Sequence, residues 1–208
     1  MSRQDFVLLI MNCEKYRDKA QKQKDGWLKS LPPNLPYFHV IGNPTMKSNY
    51  KFEKDVLYVK TPDDYCALPQ KVIAAYYAIH TEYEYKYIFK TDDDQFLTNP
   101  SFFEALMRHL NNTPNIHYGG KIVTIQENHI SKYWEFHYEL PQNIVMKRTQ
   151  YCNGRFYILS CNAVRSLLTH KPKFKKEYFE DYAIGLYLLD SYKYPIFEIA
   201  NDVFVDYE

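Results

Sequence analysis

Tyr87-Ile88-Phe89-Lys90-Thr91-Asp92-Asp93-Asp94-Gln95-Phe96-Leu97 is the stretch from which the fold is best predicted. It opens with the aromatic and β-branched residues that are typical of a buried strand. Aspartate is unfavourable inside strands and helices, so we expect the strand to end at the three aspartates. The stretch therefore predicts a buried strand that delivers three carboxylates to one edge of a sheet.

The adjacent residues Asp92, Asp93 and Asp94 are the first candidate functional residues. Neighbouring like charges repel each other, and holding them away from bulk water is costly. A divalent cation removes that cost, and carboxylate oxygens suit Mg²⁺ or Mn²⁺. Ligands of open α/β sheets bind beyond the carboxyl ends of the strands. Two interpretations stay open, a metal site that receives a phosphorylated substrate and a solvated acidic turn that caps the next helix.

Length and charge narrow the class of protein. A chain of 208 residues fits a single domain with a substantial core. Its 26 Lys and Arg nearly balance 25 Asp and Glu, and this net charge of +1 argues against a nucleic-acid-binding protein, which needs a basic face. The 21 tyrosines combine an apolar face with a hydroxyl and would suit a sugar-binding cleft, although the base composition of the genome explains them equally well.

The cysteines and apolar runs indicate a reduced, soluble protein. Cys13, Cys66, Cys152 and Cys161 form no C-x-x-C pair, so we expect free thiols and no zinc site. No apolar run approaches the length of a membrane span, and the run at 6–11 is too short for a signal peptide. We therefore expect no membrane span in this chain and a cytoplasmic enzyme. The Lys-, Asn- and Tyr-rich composition points to the A+T-rich genome of a large virus or a protist.

Predicted strands alternate with predicted helices along the chain. The expected strands are 6–11, 37–41, 56–59, 87–91, 116–125, 156–160 and one or two within 196–205. The expected helices are 14–31, 68–81, 99–110, 162–169 and 178–189. Residues 127–150 have weak periodicity, which predicts a long loop or a β-excursion. This order predicts one α/β domain over residues 1–208, with a mixed, mostly parallel central sheet flanked by helices.

Four segments carry recognisable motifs in one order along the chain. They are 63–71 (Asp-Asp-Tyr-Cys-Ala-Leu-Pro-Gln-Lys), 87–96, 151–160 (Tyr-Cys-Asn-Gly-Arg-Phe-Tyr-Ile-Leu-Ser) and 179–185 (Phe-Glu-Asp-Tyr-Ala-Ile-Gly). They are similar to D-[ST]-Y-x-N-L-[ST]-x-K, to a strand ending in D-D-D, to Y-C-x-G-x-G-Y-x-L-S and to E-D-V-x-x-G. The chain thus resembles the β-1,3-galactosyltransferase family, glycosyltransferase family 31, which includes β-1,3-N-acetylglucosaminyltransferases and fringe proteins. A weak match of 24–27 to R-x-x-W extends the resemblance over nearly the whole chain.

The resemblance implies a GT-A fold, which binds nucleotide sugars, and a metal-dependent inverting transferase. The donor would be UDP-galactose or UDP-N-acetylglucosamine, and the acceptor would be a glycan or glycoconjugate joined through a β-1,3 linkage. The implied cofactor is Mn²⁺ or Mg²⁺. A cation would neutralise the charge that grows on the departing diphosphate as the glycosidic bond breaks.

The resemblance also implies roles for particular residues. Asp94, together with Asp92, would bind the metal, and Asp181 would deprotonate the acceptor hydroxyl as general base. Glu180, next to Asp181, is the competing candidate for the general base. Alternatively, Asp181 only stabilises the N-terminus of a helix through its charge. The residues expected to bind the donor are Asp92, Asp93, Asp63, Lys71, Lys24 and Gly154.

The chain departs from the family pattern at two places. Phe156, next to Arg155, stands where the family has a small glycine. No His follows Asp181, although many members use a late His as a metal ligand. The resemblance then implies that water, the diphosphate or another carboxylate such as Asp202 completes the coordination.

Two other classes of protein stay open. The altered loop at 152–156 and the missing late His would suit a catalytically inactive module that binds nucleotide sugars or glycans. A phosphatase of the haloacid dehalogenase type also places D-x-D after a strand, but its catalytic Asp follows the first strand, where this chain has Asn12 and Cys13. We rank the phosphatase last.

Overall fold

A computed structural model describes residues 2–207. In chain order its strands are β1 (Ser2–Arg3), β2 (Phe6–Met11), β3 (Tyr37–Gly42), β4 (Tyr50–Glu53), β5 (Val56–Val59), β6 (Tyr83–Glu84), β7 (Tyr87–Asp92), β8 (Gln95–Leu97), β9 (Tyr118–Ile125), β10 (His129–Ile130), β11 (Val145–Met146), β12 (Thr149–Ser160), β13 (Phe197–Glu198) and β14 (Phe204–Asp206). Its α-helices are α1 (Arg17–Asp25), α2 (Leu68–Glu82), α3 (Phe102–Asn112), α4 (Cys161–Leu168), α5 (Lys171–Phe174), α6 (Glu180–Tyr187) and α7 (Asp190–Lys193).

Eight strands form one mixed sheet in the spatial order β13-β9-β12-β7-β2-β3-β5-β4. The pairs β13–β9, β7–β2, β2–β3 and β3–β5 are parallel, and the other three pairs are antiparallel. Only β4 and β12 therefore run against the remaining strands of this sheet. This confirms the predicted α/β fold with a mixed, mostly parallel sheet.

The core lies on both faces of the sheet. Alternate side chains of β2 point to opposite faces, and all of them from Phe6 to Met11 are buried. The odd-numbered ones join a cluster with α2, α4 and α6, represented by Tyr76, Val164 and Ile184. The even-numbered ones join a cluster with α3 and Trp27. Helices on both faces thus bury the central strands, whose carboxyl ends stay open to ligands.

Most predicted elements are confirmed to within a few residues. Strands 6–11, 37–41, 56–59 and 87–91 correspond to β2, β3, β5 and β7, and helix 68–81 corresponds to α2. The excursion over 127–150 contains β10 paired with β11. The four cysteines are free thiols in the part of the chain that is described. Within residues 2–207 we find no helix that is both long and apolar enough to cross a membrane.

The single helix predicted for 14–31 is wrong. α1 ends at Asp25, and the N–H of the following Gly26 donates to the carbonyls of Lys22 and Gln23. The chain then turns into a 3-10 segment, Trp27–Ser30. The turn lets the Trp27 indole N–H donate to the carbonyl of Gln95 at 3.0 Å. A contact distant in sequence therefore overrides the local helical preference.

The end of β7 and the start of β12 also differ from the prediction. Asp93 and Asp94 form the turn between β7 and β8, so the triplet does not cap a helix. The segment 151–155, predicted as a loop before the strand, belongs to β12, which starts at Thr149 and shifts its register between Cys152 and Tyr157. The hairpin strand β4 was not predicted, because its alternating exposed polar residues gave no apolar run.

Candidate active site

A cleft of about 570 Å³ opens where β2 and β7 end. All four motif segments contribute to its lining, together with the excursion between β9 and β12. The predicted site residues that line it are Asp63, Lys71, Asp92, Asp93, Asp94, Gly154 and Asp181. The structure therefore brings together residues that lie up to 118 positions apart in the sequence, from 63 to 181.

Lys24, also predicted to bind the donor, is not among the residues of the cleft. Its Nζ lies 2.5 Å from Asp55 Oδ2, and both side chains are partly exposed. Lys19 instead lines the cleft, with its Nζ 3.6 Å from Asp93 Oδ1. The structure thus brings Lys19 rather than Lys24 to the aspartates.

Lys90 is completely buried and joins the two acidic motifs. Its ammonium lies 2.7 Å from Asp92 Oδ1, contacts Glu180 Oε1 and donates to the carbonyl of Gly154 at 2.7 Å. Burial by itself lowers the pKa of Lys90, but the attraction of the two carboxylates outweighs burial and leaves the pKa above its ordinary value. Lys90 therefore stays charged and ties β7 and β12 to the first turn of α6.

Lys90 faces more carboxyl groups than one positive charge can neutralise. Burial raises the pKa of Glu180 to about 8; Lys90 opposes the rise, and the charges of Asp181 and Asp92 add to it. Burial likewise raises the pKa of Asp92 to about 6 against the pull of Lys90, with Asp94 and Asp181 adding to the rise. The raised pKa values reflect burial first and the repulsion between the carboxylates second, and a bound cation would lower them by stabilising the charged forms.

Asp93 extends this acidic surface towards β2. Burial raises the pKa of Asp93 to about 7, although Lys19 nearby opposes the rise. The Asn12 side chain donates to Asp93 Oδ2 at 2.9 Å. Asn12 directly follows β2, so the ends of the two central strands are joined through these side chains.

Asp181 is held at the cleft by backbone groups. Its Oδ2 accepts the N–H of Gly154 at 2.9 Å, and its Oδ1 accepts the N–H of Tyr182 at 2.7 Å. Burial raises the pKa of Asp181 above its ordinary value, although Lys90 and these two N–H groups oppose the rise. A Cβ at position 154 would lie 3.3 Å from Asp181 Oδ2, so glycine leaves room for the carboxylate. Glu180, only 3% exposed, turns to Lys90 instead.

Asp206, near the end of the described chain, also belongs to this acidic surface. The Gln95 side-chain amide donates to Asp94 Oδ1 at 2.9 Å and to Asp206 Oδ1 at 2.7 Å. Arg155 Nη2 lies 2.8 Å from the other oxygen of Asp206. Asp202, the carboxylate considered from the sequence, is exposed and is not among the cleft residues. Sequence analysis missed Asp206, since only the pairing of β14 with β8 brings it to the cleft.

Lys71 and Asp63 bind each other at the edge of the cleft. Lys71 Nζ lies 2.6 Å from Asp63 Oδ1 and donates to the carbonyl of Asn12 at 2.8 Å. Asp63 also accepts the backbone N–H groups of Gly42 and Glu14, each at 2.7 Å. This pair fixes the loops that follow β2 and β3, and most of its hydrogen-bonding capacity is already used.

Two tyrosines lie near Asp181 in the same cleft. Burial, followed by the charge of Asp181, raises the pKa of both Tyr65 and Tyr151. The Tyr65 ring stacks on His137 with the ring centres 4.2 Å apart and the planes at 4°. The lining therefore combines an acidic part around the triplet with an aromatic part around Asp181.

The acidic part does not form a complete metal centre by itself. Within residues 2–207, no group of three or more His, Cys, Asp or Glu side chains is arranged to hold a metal ion. Any cation here would need oxygen ligands beyond those of the protein, such as water or phosphate.

Comparison with known proteins identifies the class. A model of the galactosyltransferase family matches residues 38–196, which include all four motif segments. The chain belongs to the galactosyltransferase family and is a glycosyltransferase, which confirms the resemblance inferred from the motifs. Among solved structures, apo mouse xyloside xylosyltransferase 1 is similar, with 12% identity, a TM-score of 0.40, and coverage of 95% of this chain and 84% of that chain. No curated protein sequence matches the chain.

Replacing Lys90 with Met should destabilise the fold by about 3–5 kcal/mol, because Asp92 and Glu180 would lose the ammonium group that both contact in a buried site. Urea denaturation would measure the free energy of unfolding. Adding Glu180→Gln to Lys90→Met should recover part of the loss, since the neutral amide needs neither a counter-charge nor a bound proton in this buried site. Lys86→Met is the control, because the 2.7 Å ion pair of Lys86 with Asp5 is exposed and worth about 1 kcal/mol or less. Equal losses in the two single variants would contradict the role of Lys90.

Without divalent cations, the protein should become less stable as the pH rises from about 5 to about 8. Over this range Glu180, Asp93 and Asp92 hold protons in the folded state that the unfolded chain has released, because their folded pKa values are about 8, 7 and 6. Thermal unfolding at a series of pH values would show the slope. Asp93→Asn should flatten it, whereas Asp202→Asn at an exposed position should not. A stability that rises with pH over this range would contradict the expectation.

Proposed function

We propose that this glycosyltransferase is a metal-dependent inverting enzyme that moves galactose or N-acetylglucosamine from a UDP-sugar to a glycan hydroxyl. By analogy with its family, that hydroxyl is the 3-hydroxyl and the new linkage is β. The observation that carries the proposal is the position of Asp181. Its carboxylate is held by Gly154 and Tyr182 in the cleft that also contains the aspartate triplet. One cleft thus offers a base for an acceptor and an acidic surface for a cation-bound diphosphate.

The acidic residues fit a divalent cation. Asp92, Asp94 and Asp206 supply the hard oxygen atoms that Mn²⁺ and Mg²⁺ prefer. Asp94 and Asp206 converge on one amide group, and the charges of Asp94 and Asp181 add to the rise in the pKa of Asp92 that burial causes. Because no three-ligand cluster is preformed in residues 2–207, water and the donor diphosphate would complete the coordination. When bound, the cation would stabilise the negative charge of the departing diphosphate.

Asp181 would act on the acceptor. The acceptor oxygen attacks the anomeric carbon, its proton passes to Asp181, and the bond to the diphosphate breaks with its electron pair leaving on UDP. Each carboxylate oxygen that accepts one backbone N–H still has a lone pair for the proton. The raised pKa of Asp181 makes it a stronger base than an exposed aspartate. Glu180 is better suited to positioning, since it contacts the Lys90 ammonium.

In the donor site, Asp92 and Asp93 would contact the nucleotide or the water molecules bound to the metal. Lys19, beside Asp93, supplies a positive charge for the diphosphate. Lys71 and Asp63 support the donor site by fixing the loops around it. Lys24 has no part in this proposal, because it does not line the cleft and binds Asp55 instead.

The two residues at the altered loop, Arg155 and Phe156, have contacts of their own in this chain. Phe156 is buried and stacks on Phe204 with ring centres 4.9 Å apart. Arg155 binds Asp206 and the carbonyl of Phe204. Phe156, which replaces a family glycine, and the neighbouring Arg155 therefore pack against β14, and their presence does not favour an inactive binding module over a transferase.

Asp94→Asn should abolish the Mn²⁺ dependence of UDP binding while the fold persists, because it removes the charge of a direct ligand. Asp206→Asn should weaken that dependence. Asp202→Asn is the matched control. Asp202 is exposed and lies four positions before Asp206 in the sequence, and its replacement should leave the Mn²⁺ dependence unchanged. Calorimetric titration of UDP with and without Mn²⁺ measures the effect, and thermal unfolding checks the fold. Equal UDP affinity of the parent protein in both conditions would overturn the metal proposal.

Asp181→Asn should lower the rate of sugar transfer by about 10²–10⁴ and leave UDP affinity unchanged, as expected for removal of a general base. Glu180→Gln should lower the rate less. Transfer is followed as acceptor-dependent release of UDP from UDP-galactose and UDP-N-acetylglucosamine. If Asp181→Asn keeps near-normal turnover while Glu180→Gln does not, Glu180 is the base.

A further inference from the structure

The excursion between β9 and β12 carries a group of exposed aromatic and aliphatic side chains. Phe136 is 77% and Tyr138 is 90% exposed, and more than half of Ile130, Tyr133 and Val145 is also exposed. Large apolar side chains grouped in one segment and left in contact with solvent mark an interaction surface more often than chance. We define the aromatic rim as Tyr133, Phe136, His137 and Tyr138.

The excursion is a built structure that can hold these side chains in place. β10 pairs with β11, and Leu140 and Met146 are buried with Phe179 and Tyr182 in a small core of their own. The Tyr182 hydroxyl accepts the backbone N–H of Lys147 at 2.7 Å. The rim is therefore presented by a segment with its own packing, which lowers the entropy cost of binding.

Two residues of the aromatic rim belong to the lining of the cleft. Tyr133 and His137 line the cleft, and Tyr138 lies between His137 and Glu139, which both line it. The His137 ring stacks on Tyr65. The charge of Asp181 adds to the rise that burial causes in the pKa of Tyr65. A ligand whose reacting end lies at Asp181 can therefore extend outward along the rim.

The charge of the segment selects among partners. Residues 126–148 contain three acidic and three basic side chains and so carry no net formal charge, the residues being Glu127, Glu135, Glu139, Lys132, Lys147 and Arg148. An anionic membrane surface or a nucleic acid would require a basic excess. Tyrosine and phenylalanine rings suit the apolar faces of uncharged sugar rings, and the tyrosine hydroxyl can bond to sugar hydroxyls.

We propose that the aromatic rim binds the acceptor and that the acceptor is a neutral oligosaccharide of at least two sugar rings. The terminal sugar presents its hydroxyl to Asp181, and the rings behind it lie on Tyr133, Phe136 and Tyr138. This inference rests on the proposed function for the statement that the terminal sugar of the oligosaccharide lies at Asp181. The binding of a neutral glycan to the rim can be tested without transfer.

A glycan array tests the inference with the full chain. The array carries neutral oligosaccharides of one to several rings and their sialylated and sulfated counterparts, and it is probed with and without UDP and Mn²⁺. Neutral chains of two or more rings should be bound. Phe136→Ala and Tyr138→Ala should each weaken that binding by about 2- to 10-fold, as expected for loss of one aromatic contact. Val145→Ala, an exposed apolar position outside the rim, is the control and should have no effect.

Three results would overturn the inference: no binding of neutral glycans, binding confined to the anionic ones, or binding that neither rim variant weakens. Vesicles of phosphatidylcholine with phosphatidylserine are a parallel probe, and rim-dependent binding to them in place of glycans would also overturn it. Failure of the proposed function looks different, since the parent protein would then show no Mn²⁺-dependent UDP binding. Thermal unfolding of each variant confirms that these surface changes leave the fold intact.

Discussion

The buried ammonium of Lys90 is the contact on which the active site depends. It contacts Asp92 and Glu180 and also donates to the carbonyl of Gly154. One side chain therefore fixes the end of β7, the part of β12 where the register shifts, and the first turn of α6. Asp181 reaches the cleft as the neighbour of Glu180 in that turn. The arrangement of the cleft follows from a local balance of charge as much as from the sheet.

Local patterns in the sequence were sufficient for the central strands and for most of the cleft. β2 and β7 are short apolar runs buried on both faces, and such runs are visible without any knowledge of their neighbours. Because parallel strands end at the same edge, the residues after them could be expected to meet, and Asp92 and Asp93 do line one cleft with Asp181. The motif resemblance supplied Asp181, which no periodicity would have singled out.

The remaining features depend on contacts between distant parts of the chain. The break at Gly26 serves the bond from Trp27 to Gln95, and helix propensity over 14–31 contains no sign of that partner. Lys19 and Lys24 both lie in α1, but Lys19 reaches Asp93 while Lys24 reaches Asp55. Asp206 lies in an ordinary short strand, and only its pairing partner makes it part of the cleft. Such pairings are decided by tertiary packing, which a single sequence does not display.

The pairing of β14 with β8 has a consequence for the dynamics of the cleft. These two short strands form a sheet separate from the eight-stranded one, and they join residues 111 positions apart. A small, peripheral pairing of this kind opens at a lower free energy than the central sheet does. Opening would carry Asp206 away from Gln95 while β2 and β7 stay paired. Amide hydrogen exchange in β14 would therefore slow when a ligand holds the cleft closed, and part of the binding energy would be used to keep this strand in place.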